Sequence, residues 1–157
     1  MITIDIQMAS AYPSIPSRKE FEQWISAALK APEIATDKDT EISLRIVNEE
    51  ESRRLNYTYR QQDKPTNVLS FPCEFPEGVD VPLLGDIVIC AEVVAREATE
   101  QGKLVKSHWA HMFVHGTLHL HGYDHVHEED AVEMEQLETD IMLHLGFKAP
   151  YLPSNSI

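Results

Sequence analysis

Ile2, Ile4, Ile6 and Met8 alternate with polar residues, which predicts a half-buried strand that Pro13 and Pro16 bring to an end. Ser17 followed three residues later by Glu20 forms a capping box. Phe21, Trp24, Ile25, Ala28 and Leu29 then recur at helical spacing, so an amphipathic helix begins there. Ile42, Leu44 and Ile46 return to the two-residue period of a strand, after which Asn48 can cap a short helix whose third position is Glu51. Asn67 to Phe71 and Leu83 to Cys90 are rich in Val, Ile, Leu and Phe and flank the turn-forming stretch PCEFPEGVDVP, the pattern of an antiparallel pair with a long loop. Further helices are expected over Glu92 to Gln101, Lys106 to His121 and Glu128 to Leu145, closed by Gly102, Gly122 and Gly146. No repeat or linker interrupts the order β-α-β-α-β-β-α-α-α. The expectation is an α+β fold, a small mixed β-sheet of about four strands packed with about five helices.

With 157 residues the chain is expected to form a single domain over residues 1–157, burying about two-thirds of its unfolded surface. A hydrophobic fraction of 43% and a charged fraction of 25% exclude a disordered class. The longest apolar run, near Ile87 to Ala91, is far short of the roughly 18 residues of a membrane span. The opening MITIDIQMA alternates instead of forming an apolar block and carries Asp5 where a secretory signal has Lys or Arg, so a cytoplasmic protein is expected. Cys73 and Cys90 lack C-x-x-C spacing and read as reduced core thiols.

Charge narrows the possible partners. Thirteen basic and twenty-six acidic residues give a net charge of −13, the wrong sign for a surface that attracts nucleic acid everywhere, so a polyanion would need a local patch. Ser107 to Phe147 contains eight acids and no Lys or Arg. Arg45, Arg53, Arg54, Arg60 and Lys64 gather within twenty residues, diluted by Glu49, Glu50, Glu51 and Asp63. That cluster reads equally as a patch or as a solvated helix face of mixed charge.

Seven of the eight histidines fall within twenty residues. His115 and His119, four apart on the expected helix, project from one face and can grip one ion through imidazole nitrogens. Gly122 then turns the chain so that His125 can return over the same ion, which places the metal site on a helix of the C-terminal half and the turn after it. Three neutral imidazoles leave a coordination position open, the arrangement of catalytic zinc, with nickel or copper able to compete by affinity. His108 and His111 share the stripe as core residues or as supports for the ligands; His121 and His127 read as solvent-facing or loop residues. Asp124 either orients a ligand ring, helps water attack or stabilises the turn. The spacing H-x-x-x-H-x-x-G-x-x-H matches the three-histidine part of the metzincin protease signature. The general-base Glu of those proteases is replaced here by Gly116, so peptide hydrolysis by that route is disfavoured.

The strings HGTLHLHGYDH and YRQQDKPTNVLSFP, with LLGDIVIC between them, resemble the YbeY family of bacterial metal-dependent endoribonucleases and ribosomal RNA maturation factors, and the likeness covers most of the chain. The resemblance implies one zinc ion (Zn2+) per chain held by His115, His119 and His125, with Arg60 and His115 as the catalytic residues. It further implies a preference for single-stranded RNA, maturation of the 16S ribosomal RNA 3′ end and disposal of defective ribosomes, with ribosomal RNA and a ribosomal or small-subunit protein as partners. A fixed guanidinium aimed at phosphoryl oxygens stabilises the charge that develops there, which suits Arg60; from position alone Arg60 reads as an exposed helix-end residue. Thr66, Asn67 and Ser70 serve either as turn and strand residues or as contacts to sugar and phosphate. Asp86 follows Gly85 at a bulge-like position without an assigned role. Two other functions stay open at this level: a non-enzymatic ribosome assembly factor with a structural zinc, and a metal-dependent hydrolase of peptides or small molecules. The oligomeric state and the nucleophile are left open as well.

Overall fold

A computed structural model describes residues 1–76, 78–79, 81–123 and 127–151. The element order is β1 (Ile2–Ala9), α1 (Arg18–Leu29), β2 (Thr40–Val47), α2 (Glu49–Arg60), β3 (Val68–Pro72), β4 (Leu83–Cys90), α3 (Ala91–Glu100), α4 (Val105–Leu120) and α5 (Glu128–His144). The strands form one sheet in the order β1-β2-β4-β3. β1, β2 and β4 run parallel, and β3 pairs antiparallel with β4 at one edge, with Val68 opposite Ile89 and Pro72 opposite Gly85. The mixed α+β architecture is the one the periodicity predicts. A register shift between Glu41 and Ile42 leaves Leu84 as an extra residue on β4, so the irregularity beside Gly85 and Asp86 is a β-bulge.

Alternation along the strands divides the apolar residues between two faces. Ile42, Leu44, Ile46, Ile87 and Ile89 meet α1 and α4, where Phe21, Trp24, Trp109 and Phe113 form an aromatic cluster; the Phe21 and Phe113 centroids are 4.8 Å apart. Val47, Val88 and Cys90 face the other way and pack with Leu69, Val93 and Leu55. Cys73 and Cys90 are both free, and only Cys90 belongs to the core; Cys73 is half-buried. No helix among the described residues is long and apolar enough to cross a membrane.

The predicted caps are formed. Glu20 N–H donates to Ser17 Oγ at 3.2 Å while Ser17 N–H donates to Glu20 Oε1 at 3.1 Å, and Glu51 N–H donates to Asn48 Oδ1 at 3.0 Å. These contacts set where α1 and α2 begin. α4 is buried on most of its circumference and touches α1, α3, α5, β3 and β4, as a helix apolar all round requires. Its polar groups therefore need partners from neighbouring elements.

Candidate metal centre

Four histidines of α4 lie in one stripe because residues three and four apart share a helix face. His108, buried, donates from Nε2 to Glu97 Oε1 at 2.9 Å; the same oxygen accepts from Asn67 Nδ2 at 2.9 Å. His111, also buried, bonds through Nε2 to Glu138 Oε2, and His115 bonds through Nδ1 to Glu138 Oε1 at 2.7 Å. Tyr151 adds its hydroxyl to Glu138 Oε2 at 2.6 Å. His121 donates from Nδ1 to the Thr117 carbonyl at 3.1 Å, and His127 is exposed.

Glu138 is fully buried, and burial alone would raise its carboxyl. The bonds from His111 and His115 outweigh that effect and hold it at about 2, so the group is an anion. Burial acts on His111 in the opposite sense and pushes it down, which keeps that imidazole neutral despite the carboxylate beside it. Burial and the Glu138 charge together push the Tyr151 phenol up, so its proton stays on the oxygen that donates.

An ionised acceptor requires protons on the atoms that face it. His115 therefore carries its proton on Nδ1 and presents the Nε2 lone pair on the other side of the ring. That Nε2 lies 3.1 Å from Nε2 of His119. Two nitrogens bound tetrahedrally to zinc at about 2.0–2.1 Å would be roughly 3.3 Å apart. The pair is thus close to the spacing of two ligands of one ion, and the carboxylate behind His115 is the support that a metal-binding imidazole commonly has. His125 and Asp124 lie outside the described residues.

A second grouping is available. His111, His115 and Glu138 each offer a ligand atom, and these atoms lie within 4.8 Å of one another, so two histidines and a carboxylate can also hold a cation. Both Glu138 oxygens already accept hydrogen bonds, however, and an ion there would have to replace them at a fully buried carboxylate.

His115 and His119 line an open cleft of about 770 Å³ together with Arg60, Asn67 and Ser70. Short-range chemistry explains how distant segments meet here. Gln61 takes a left-handed conformation, φ 58°, and stops α2 immediately after Arg60. Ser52 and Asn56, buried one turn apart on α2, then hold the following loop: Ser52 Oγ donates to the Thr66 carbonyl at 2.9 Å and Asn56 Nδ2 to the Lys64 carbonyl at 2.8 Å. The loop leads into β3, where Ser70 Oγ donates to the Gly116 carbonyl at 3.0 Å. Arg60 is in this way tied through α2 and β3 to the helix that carries His115.

Gly116 has a packing reason. A Cβ at this position would lie 3.1 Å from Ile87 Cγ2, 3.2 Å from Ser70 Oγ and 3.3 Å from Val68 Cγ2, so α4 approaches the sheet closely only because the side chain is missing. A protease-type Glu at 116 would have to enter that contact. Gly122 ends α4 with φ +91°, the left-handed turn read from the sequence. Thr66, Asn67 and Ser70 line the cleft, but Asn67 and Ser70 spend their polar atoms on Glu97, Val68 N–H and Gly116, which accounts for them as structural residues. Of the basic cluster, Arg45 pairs with Glu51 and Arg53 with Asp63, whereas Arg60 has no ion pair among the described residues.

Glu138 and Tyr151 escape a reading of the sequence by motif. Glu138 did leave a trace: it falls among Met134, Leu137, Ile141 and Met142 on the buried face of α5, where a lone acid calls for a buried partner. Tyr151 left no such pattern.

The sequence profile of the family described as Endoribonuclease YbeY matches residues 5–146. Among solved structures the fold is similar to the solution structure of TM1509 from Thermotoga maritima. The TM-score is 0.57 at 24% identity, over 93% of this chain and 92% of that chain.

Proposed function

The chain belongs to the Endoribonuclease YbeY family, and from that premise we propose that it is a zinc-dependent endoribonuclease that cuts single-stranded RNA. The substrate in this reading is ribosomal RNA in the cytoplasm, with a role in forming the 3′ end of 16S RNA and in removing defective ribosomes. One domain over residues 1–157 carries the activity. One zinc ion per chain is held by His115, His119 and His125, and Arg60 with His115 forms the catalytic pair.

The observation that carries this reading is the cleft itself, lined by an arginine without an ion pair among the described residues and by two imidazoles whose Nε2 atoms lie 3.1 Å apart. Phosphodiester cleavage adds negative charge to the phosphoryl oxygens, so a guanidinium fixed beside them stabilises the transition state more than the ground state. The planar fork of Arg60 can meet two of those oxygens at once. A bound zinc would supply Lewis acidity at the same phosphate. His115 contributes a lone pair in a set direction because Glu138 holds its other nitrogen. The net charge of −13 leaves little attraction for RNA in general, and a ribosomal protein partner supplies the remaining affinity and context. A protease route lacks a base at Gly116, where an added Cβ would already press on Ile87, Ser70 and Val68.

Metal removal tests the reading. Untagged protein is expected to cut a single-stranded RNA and to leave the matching duplex largely intact. Chelation should lower the rate at least about 100-fold, with recovery on adding zinc. A His119→Ala preparation run in parallel controls for trace nuclease. Cleavage that survives chelation, or that the His119→Ala preparation shows equally, contradicts the proposal. Normal ribosome maturation supported by a folded but inactive variant would favour a non-enzymatic assembly factor.

A further inference from the structure

Tyr59 precedes Arg60 in the last turn of α2, and its side chain is 60% exposed. Among the described residues no hydrogen bond holds its hydroxyl, and the ring is placed by packing on Phe71 of the edge strand β3, with centroids 4.9 Å apart and planes inclined at 60°. Both rings line the cleft that contains Arg60, His115 and His119. Both also line a second groove of about 530 Å³, which crosses the sheet face opposite α4 beside Ser43, Arg45 and Asp86. The aromatic pair is therefore a ridge between the two grooves, with the cleft's guanidinium on the neighbouring residue.

Exposed aromatic area beside a cation suits a ligand that alternates flat apolar faces with negative charges. We propose that Tyr59, backed by Phe71, is a stacking platform for one nucleobase of single-stranded RNA, next to the phosphate that Arg60 engages. The inference rests on the endoribonuclease reading above and adds to it a base-binding subsite. Stacking on a ring tolerates any base, because every base has a π-face, and it requires a base that is out of a duplex. A platform here thus gives the preference for single strands a structural source on α2 and β3, in the cleft that His115 and His119 line.

The test is equilibrium binding of fluorescent 2′-O-methyl oligonucleotides to the zinc-loaded, full-length protein, with oligonucleotide integrity checked by gel. Tyr59→Ala should weaken binding roughly 10-fold, within the range of base–aromatic stacking, while Tyr59→Phe and Tyr59→Trp bind as wild type does. In the wild type, one abasic position in the oligonucleotide should cause a similar loss, and the same abasic position should cost Tyr59→Ala nothing more. Unchanged binding by Tyr59→Ala overturns the platform, as does an abasic penalty that persists in full in the variant. If Tyr59→Phe is as weak as Tyr59→Ala, the hydroxyl and not the ring face makes the contact, and the platform is again overturned. These results are distinct from failure of the endoribonuclease reading, in which the wild type binds no oligonucleotide and Arg60→Ala changes nothing. Weaker binding of a ribosomal protein by Tyr59→Ala, with RNA binding intact, would assign the ridge to a protein partner and overturn the proposal.

Discussion

Arg60→Ala is expected to lower cleavage of single-stranded RNA by roughly 10²–10³-fold, the loss seen when one preorganised donor to a developing oxyanion is removed. Zinc content and melting temperature should stay at wild-type values. The side chain is exposed, ends α2 and has no ion pair among the described residues, so its removal affects folding by no more than about 0.5 kcal/mol. The backbone there is held by Gln61 and by the loop contacts of Ser52 and Asn56, not by Arg60 itself. Arg60→Lys should recover only part of the rate, because a single ammonium cannot reproduce a planar two-point contact. Single-turnover cleavage with equal metal loading measures all three proteins. A rate for Arg60→Ala within a few-fold of wild type would remove the arginine from the chemistry.

Glu138→Gln should strike both metal binding and stability. The carboxylate accepts from His111, His115 and Tyr151, and all three donors face its two oxygens. A glutamine offers one oxygen and one NH2 group, so at least one donor meets a donor, and nothing then requires His115 to keep its proton on Nδ1. Zinc affinity is expected to fall about 10–100-fold, the usual effect of losing such a support. If the cation were instead held by His111, His115 and Glu138 itself, the same substitution would abolish binding outright. Competition with a chromogenic chelator at neutral pH separates the two outcomes.

The pH dependence of the metal-free protein follows from the same group. The Glu138 carboxyl stands at about 2 in the folded chain, below its ordinary value of 4.5. A depressed carboxylate stabilises the fold above its unfolded value and loses that contribution as pH falls toward its folded value. Chelated wild type should therefore lose melting temperature between about pH 4.5 and 2, and Glu138→Gln should lack that part of the slope, the two curves converging near the acid end. Parallel curves across that window would show that Glu138 is not held as an anion.

Much of the fold and part of the site can be read along the chain, and the division has physical causes. Strand and helix periods, the Ser17 and Asn48 caps and the glycines after α3, α4 and α5 are local signals, and the elements they predict are present in the predicted order. The placement of β4 between β2 and β3 is not local, since it depends on pairing between strands far apart in the chain. Spacing singled out His115 and His119 because two ligands one helical turn apart need no tertiary information. Arg60 is different: it reaches the same cleft only through Ser52, Asn56 and the Ser70–Gly116 contact, none of which has a motif. Glu138 is one of the eight acids between Ser107 and Phe147, and its place among Met134, Leu137, Ile141 and Met142 sets it apart from the solvated ones. The histidines His108 and His111 acquired meaning only when Glu97 and Glu138 were found opposite them.

A cation between His115 and His119 in the Arg60 cleft is tested by elemental analysis of untagged protein beside its His119→Ala variant. Both proteins are offered zinc at neutral pH, where free imidazoles are largely neutral, and are then passed through metal-free buffer. About one zinc per wild-type chain is expected, with a small residue of it in the variant and both proteins folded. Equal zinc in the two proteins would move the ion to His111, His115 and Glu138, and no metal in either would reduce the histidine stripe to packing between α4 and α5.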